Sequence, residues 1–255
     1  MKKFWHITKL VLGGLLAVGA LILIVATQKE KQSQAVKRVQ FKVLNPDYKF
    51  VQEADLQPAV AFLSDTTQVH SLNKVDLQTI EEKVAKNKYV ERCKVYINNS
   101  KKLQIDVLQR QPQLRVINNS GVSYYLDENG IKFPLSPTFT PNVPVVTGYV
   151  RYSQDSLGNP GAEVHHLLSL CKFIEDDKQL SSLISQIVVN RNGDFELIPR
   201  TGSHTILIGN SNLLEDKFNR LKIFYDEGLS RLGWDTYNQI NLKYEGQVIA
   251  KKKGT

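Results

Sequence analysis

The sequence predicts an α+β chain with three parts: an N-terminal transmembrane helix, a small β-α-α-β-β unit, and a β-rich mixed domain. Three observations carry this. A long uncharged run lies near the start, a strand-helix-helix-strand-strand pattern follows it, and from Gln113 the texture changes to many short alternating segments. The boundaries this suggests are a tail at 1–9, the membrane helix at 10–27, a linker at 28–37, the first domain at 38–112, the β domain at 113–250 and a basic tail at 251–255.

Leu10 to Thr27 is 18 residues without a charge. At 1.5 Å per residue this makes about 27 Å of helix, close to the hydrocarbon thickness of a bilayer. Gly13, Gly14 and Gly19 would weaken a soluble helix but are common in membrane spans. A cleaved signal peptide would have a shorter apolar region and a clean A-x-A site, so an uncleaved signal-anchor is expected. Lysines flank the run on both sides (Lys2, Lys3 and Lys9 before, Lys29, Lys31 and Lys37 after), and charge alone leaves orientation nearly tied. Nine residues precede the run and 228 follow it. The expected arrangement is therefore a cytoplasmic N-terminus, a single pass through the inner membrane and an extracytoplasmic bulk.

Residues 28–37 have little apolar content and read as a linker. "RVQFKVL" alternates Val39, Phe41 and Val43, as a half-buried strand does. In "FVQEADLQPAVAFL", Asp55 is the expected cap of a short helix with Pro58 in its first turn. A second helix should start at Asp76 and present Leu77, Ile80 and Val84 along one face. "YVERCKVYI" and "KLQIDVLQRQP" then read as two strands joined at "NNSKK", and Pro112, which cannot donate to a ladder, is expected to close the unit.

In the second domain "LRVI" and "VSYYL" pair through "NNSG", and "QIVVNRNGDFELI" is a hairpin turning at Asn192-Gly193. "HTILIG" is a further strand. Helices around 163–174 and 212–232 present Val164, Leu167, Leu168 and Cys171, and then Leu214, Phe218, Leu221 and Tyr225. The chain closes on "YNQINLKYEGQVIA", where Ile240, Leu242 and Tyr244 alternate.

Composition narrows the function. The net charge of +8 is modest and concentrates partly at the chain ends. It suits an anionic membrane surface better than nucleic acid, for which no zinc-finger spacing or RNP-type motif exists. Cys93 and Cys171 sit in apolar patterns and read as buried thiols, with no C-x-x-C for metal or redox chemistry. In "YYLDENGIKFPL" the carboxylates of Asp127 and Glu128 could suggest an acid pair or a calcium loop. Counting from Asp127, however, the EF-hand glycine and glutamate positions hold Lys132 and Thr138. Asp first and Gly fourth match a type I turn with a left-handed glycine, so surface carboxylates with no chemistry are expected. His70 and His204 fall in polar loops, and His165 and His166 point about 100° apart on their helix. No nucleophile elbow, phosphate loop or dinucleotide fingerprint is present. The expectation is a non-enzyme with no cofactor, no metal and no small-molecule substrate.

The order of parts, with "VDLQTIEEKVAKNKYVERCKVYI…LQIDVLQRQP", "YYLDENGIKFPL" and the closing "YNQINLKYEGQVIA", resembles the bacterial FtsQ/DivIB cell-division family. The resemblance implies that residues 38–112 form a polypeptide-transport-associated (POTRA) domain. It also implies a scaffold at the division septum that holds two small bitopic coiled-coil proteins, FtsB and FtsL. The partner would add as a strand to an exposed C-terminal edge strand. On that likeness the partner-binding residues are Asn241, Lys243, Tyr244, Gly246, Gln247 and Val248, with Tyr244 as aromatic anchor. Ile240, Leu242 and Val248 also have a plain reading as core. The family's closing motif usually carries an acid and an arginine where Asn241 and Lys243 stand. The rivals are a membrane-anchored extracytoplasmic enzyme and another POTRA-bearing envelope-assembly protein. The first lacks its motifs, and the transporter form of the second lacks the long strands of a barrel.

Overall fold

In the computed structural model the described residues are 39–64, 75–100 and 102–254, and they form two compact units. The expected tail, membrane helix and linker at 1–37 lie outside the described residues, as does His70. Among the described residues no helix is long and apolar enough to cross a membrane.

In the first unit, which runs to Gln109, Val39–Val43 (β1), Val90–Ile97 (β2) and Leu103–Gln109 (β3) make a three-stranded sheet. β3 is central, parallel to β1 and antiparallel to β2. Its strict alternation buries Leu103, Ile105 and Val107 completely. Helices Glu53–Val60 (α1) and Leu77–Ala85 (α2) add Leu56, Val60, Ile80 and Val84 to this core. Asp76 caps α2 as expected, accepting from the Thr79 amide at 3.1 Å. α1 is capped three residues earlier than expected. Gln52 is the N-cap, and the Asp55 carboxylate reaches back to the Gln52 amide at 2.8 Å. Pro58 consequently lies inside the helix rather than in its first turn.

The second unit comprises Tyr48–Phe50 and the chain from Arg110. Its nine-stranded sheet uses Pro112–Asn118 (β4), Ser123–Asp127 (β5), Lys132–Pro134 (β6), Val145–Gly148 (β7), Ile184–Val189 (β8), Phe195–Pro199 (β9), Thr205–Gly209 (β10), Tyr237–Asn241 (β11) and Ile249–Lys252 (β12). The spatial order is β12-β11-β10-β9-β8-β7-β4-β5-β6. Pro112 thus opens β4 instead of closing the unit before it. A strand's first residue tolerates proline because a missing donor there costs little.

One face of this sheet packs against Ala162–Asp176 (α3) and Leu214–Ile223 (α5), with the short Lys178–Leu183 (α4) between them in sequence. α5 runs on through a π-helical turn, Phe224–Leu229, into Ser230–Leu232. Val164, Leu167, Leu168 and Cys171 from α3 join Leu214, Phe218, Leu221 and Tyr225 in one cluster with Val116, Ile187, Leu197, Ile206 and Ile240. The helical spacing read from the sequence is therefore the packed face. At the β5–β6 end the opposite face is also covered, since Phe50 meets the rings of Tyr125, Phe133 and Phe139 at 5.0–5.9 Å.

The Asp127–Gly130 turn joins β5 and β6 as expected, with Gly130 at φ 74°. The surface carboxylate pair does not survive. Glu128 is exposed, but Asp127 is only 2% exposed. Its Oδ1 accepts from the amides of Asn129 (3.0 Å) and Ile131 (2.7 Å), and its Oδ2 pairs with Arg110. The turn bonds alone do not bury a carboxylate, since Asp155 serves the amides of Leu157 and Asn159 in the same way and is exposed; what sets Asp127 apart is its Arg110 partner.

Candidate functional site

A sheet's docking capacity lies at its open ends, where backbone donors and acceptors await a partner. One end of the nine-stranded sheet is β6. It has three residues, finishes in Pro134, and its Lys132 amide already donates to Tyr152 Oη at 3.2 Å. The first unit's β2 is partly blunted too, because the Val95 amide donates to Glu81 Oε1 at 2.7 Å. The other end of the large sheet is β12, beyond which no strand lies among the described residues. β12 pairs antiparallel with β11 from Asn241↔Ile249 to Tyr237↔Lys252, and Ile249 is 47% exposed.

The expected single closing strand is in fact two strands and a connection. β11 ends at Asn241, whose Oδ1 accepts from the Lys243 amide at 2.9 Å and bends the chain out of the ladder. Leu242 still donates to Leu207 O at 2.8 Å, and Ile240 and Leu242 are fully buried core. Lys243 lays its stem against Gly209, where a Cβ would come within 2.9 Å of Lys243 Cγ, and its ammonium pairs with Asp194 at 2.8 Å. That pairing raises the Lys243 pKa above its ordinary value. Tyr244 is 54% exposed at the start of the turn, and Gly246 supplies the left-handed φ of 66° that closes it. Gln247 is exposed, whereas Val248 is half-buried against the core. The residues Asn241, Lys243, Tyr244, Gly246, Gln247 and Val248 therefore gather in one loop at the foot of the edge strand. The edge strand takes its last two residues, Lys251 and Lys252, from the segment expected as a basic tail at 251–255.

One residue of this region was not anticipated. Arg220, on α5, donates from Nη1 to the carbonyls of Tyr244 (3.0 Å) and Gln247. Asp216, one turn earlier, holds the same guanidinium through Nε at 2.9 Å and Nη2 at 2.7 Å. The Asp216/Arg220 spacing was visible in the sequence as an i,i+4 pair. Its second task was not, since the carbonyls it meets lie 24 and 27 positions away. Arg220, Ile223, Phe224, Glu227, Gly246 and Val248 border a hollow of about 380 Å³ beside the loop.

A family model described as FtsQ/DivIB, C-terminal related, matches residues 111–251, which is more than half of the chain and includes the loop and all of β12 but its last residue. The chain belongs to that family. Among its relatives, the cell division protein FtsQ of Geobacter sp. (strain M21) is 30% identical over 186 residues, covering 71% of this chain and 66% of the relative. The cell division protein FtsQ of Geotalea daltonii (strain DSM 22248 / JCM 15807 / FRC-32) is 31% identical over 183 residues, 69% of this chain and 63% of the relative. In both cases the match spans just under two thirds of the relative's own length.

The other titratable candidates sit away from the edge loop. Both cysteines are free; Cys171 is buried as expected, whereas Cys93 is only partly buried. Burial pushes the Cys171 thiol up strongly, and Cys93 is pushed up to about 11 by burial and by the nearby Glu81 and Asp106 carboxylates. Both shifts oppose the thiolate that a nucleophile needs. His204 does lie in the loop before β10, but it is buried: it is 2% exposed, its Nε2 lies 2.7 Å from Tyr225 Oη, and burial lowers its pKa. His165 and His166 are exposed on α3, where His166 Nδ1 meets Ser211 Oγ at 2.7 Å. Among the described residues no group of three or more His, Cys, Asp and Glu could hold a metal ion.

Proposed function

We propose that this chain is a non-catalytic scaffold of bacterial cell division, anchored in the inner membrane by residues 10–27 and acting at the septum from the outer side of that membrane. Residues 38–112 serve as its POTRA domain. Residues 113–250, together with the start of the 251–255 segment, form the domain that receives the partner. The partners are small bitopic coiled-coil proteins of the FtsB and FtsL type. One of them adds a strand along β12 and sets its flanking side chains against Asn241, Lys243, Tyr244, Gly246, Gln247 and Val248. The observation that carries this reading is the asymmetry of the large sheet. Its β6 end is short and stopped by proline, while its β12 end is paired on one side and offers the loop beside it. Main-chain hydrogen bonds would supply affinity, and alternate side chains would supply specificity. Lys251 and Lys253 on and beside the edge favour an acidic incoming strand.

The test is co-purification of the full chain with the FtsB-type protein of the same cell. Ala250→Pro, which removes an amide from the edge, and Tyr244→Ala should each lower capture about tenfold or more while the far-UV circular dichroism stays unchanged. Undiminished capture by both variants would move the site away from β12.

A further inference from the structure

Resting on that reading, we infer that Arg220 is a positioning residue that holds the docking edge in its strand form before any partner arrives. A four-residue strand at the end of a sheet is a weak template by itself, since so short an element frays easily. All four residues of β12 nonetheless have partners on β11, with one register shift between Tyr237 and Gln239, and the neighbouring Lys253 amide continues the pairing, donating to Thr236 O at 3.1 Å.

Two cations close the strand's ends. At its start, Arg220 ties the Tyr244 and Gln247 carbonyls to α5, which fixes the take-off point two residues before β12. At its end, Lys253 meets Ser203 and Asp235. The two are unequal. The Lys253 and Asp235 side chains are 44% and 79% exposed, so water and salt screen that pair heavily. The Arg220 side chain is 13% exposed, its fork is occupied by Asp216 on one side, and it faces two backbone carbonyls on the other. A planar guanidinium can serve a carboxylate and two carbonyls at once, which a lysine ammonium cannot reproduce in the same geometry. Arg220 is thus the element that converts a loop-tethered segment into a preformed template. Pre-organisation lowers the ordering cost that the partner would otherwise meet on binding.

The experiment is amide hydrogen exchange on the full chain without partner, paired with capture of the FtsB-type protein. In Arg220→Gln the amides of Ile249–Lys252 should exchange about tenfold faster, and capture should fall by a similar factor, while amides of the central β8 and β9 keep their protection. Arg220→Lys should restore only part of either. Should Arg220→Gln loosen β8 and β9 as well, Asp216→Ala decides, because it frees the guanidinium without removing it and should speed β12 exchange severalfold. Unchanged β12 exchange in a folded variant overturns the positioning role. Faster exchange with full capture overturns its link to docking, provided Ala250→Pro still abolishes capture. If that proline variant also captures normally, it is the β12 docking reading that has failed.

Discussion

Asp127 shows how a residue at a hairpin tip can be costly to change. Its carboxylate meets the Asn129 and Ile131 amides and the Arg110 guanidinium in a nearly closed site. Asp127→Ala leaves two amides without their acceptor and separates a buried ion pair, which should cost about 3 kcal/mol. Glu128→Ala, one position on and exposed, should stay within about 0.5 kcal/mol of wild type. Urea denaturation of the two variants checks the contrast, and equal midpoints would refute the buried role. Gly130 is constrained twice over: φ is 74°, and a Cβ would approach Pro160 Cγ to 2.7 Å and Val164 Cγ1 to 2.9 Å. The order Asp-Glu-Asn-Gly was readable as a turn because the turn demands those residues locally. The burial of Asp127 was not readable, because it depends on Arg110, 17 positions away in sequence.

At the scale of elements, the long helices were legible because an apolar stripe at helical spacing has one outlet, a packed face. The closing strand was misread because Ile240, Leu242 and Tyr244 alternate straight through the real strand end. Asn241 breaks the ladder with its own side chain, and Leu242 is buried beyond that break by its bond to Leu207. His204 was hidden in the same way: "TGSH" reads as loop, yet the imidazole reaches Tyr225 in the π-helical turn, with Trp234 stacked edge-on to that tyrosine. This burial has a pH consequence. Desolvation lowers the folded-state pKa of His204, against the favourable Asp235 charge and with the unfavourable Lys253 charge. The unfolded chain then binds the proton first, so this contribution to stability is complete above pH 6.5 and is lost as pH falls from there toward the depressed folded value. Asp76, Asp155, Asp177 and Asp235, all shifted down, act in the same direction but only below pH 3.8. Glu175, shifted up by burial, works the other way from its ordinary 4.5 upward. The thermal midpoint should therefore drop between pH 6.5 and 5.5, and His204→Gln should flatten that slope. Parallel wild-type and variant profiles would exclude His204 as the cause.

At the scale of the molecule, the proposed role draws on three parts: an apolar segment at 10–27, a β-α-α-β-β unit, and a large sheet whose end strand among the described residues is β12. A scaffold of the proposed kind would act by occupancy, so its loss should stop an assembly rather than a reaction. Depletion in the native cell should give filaments with unseparated septa while growth in mass continues, because no metabolic step has been removed. A fluorescent fusion of the full chain should concentrate in a midcell ring. The edge variant Ala250→Pro makes the test specific. If β12 only receives the downstream partner, the variant should still reach midcell through the rest of the chain, yet fail to bring the FtsB-type protein there and fail to relieve filamentation. Normal division on depletion would end the scaffold reading. A variant that rescues division fully would keep the scaffold but remove β12 from its working surface.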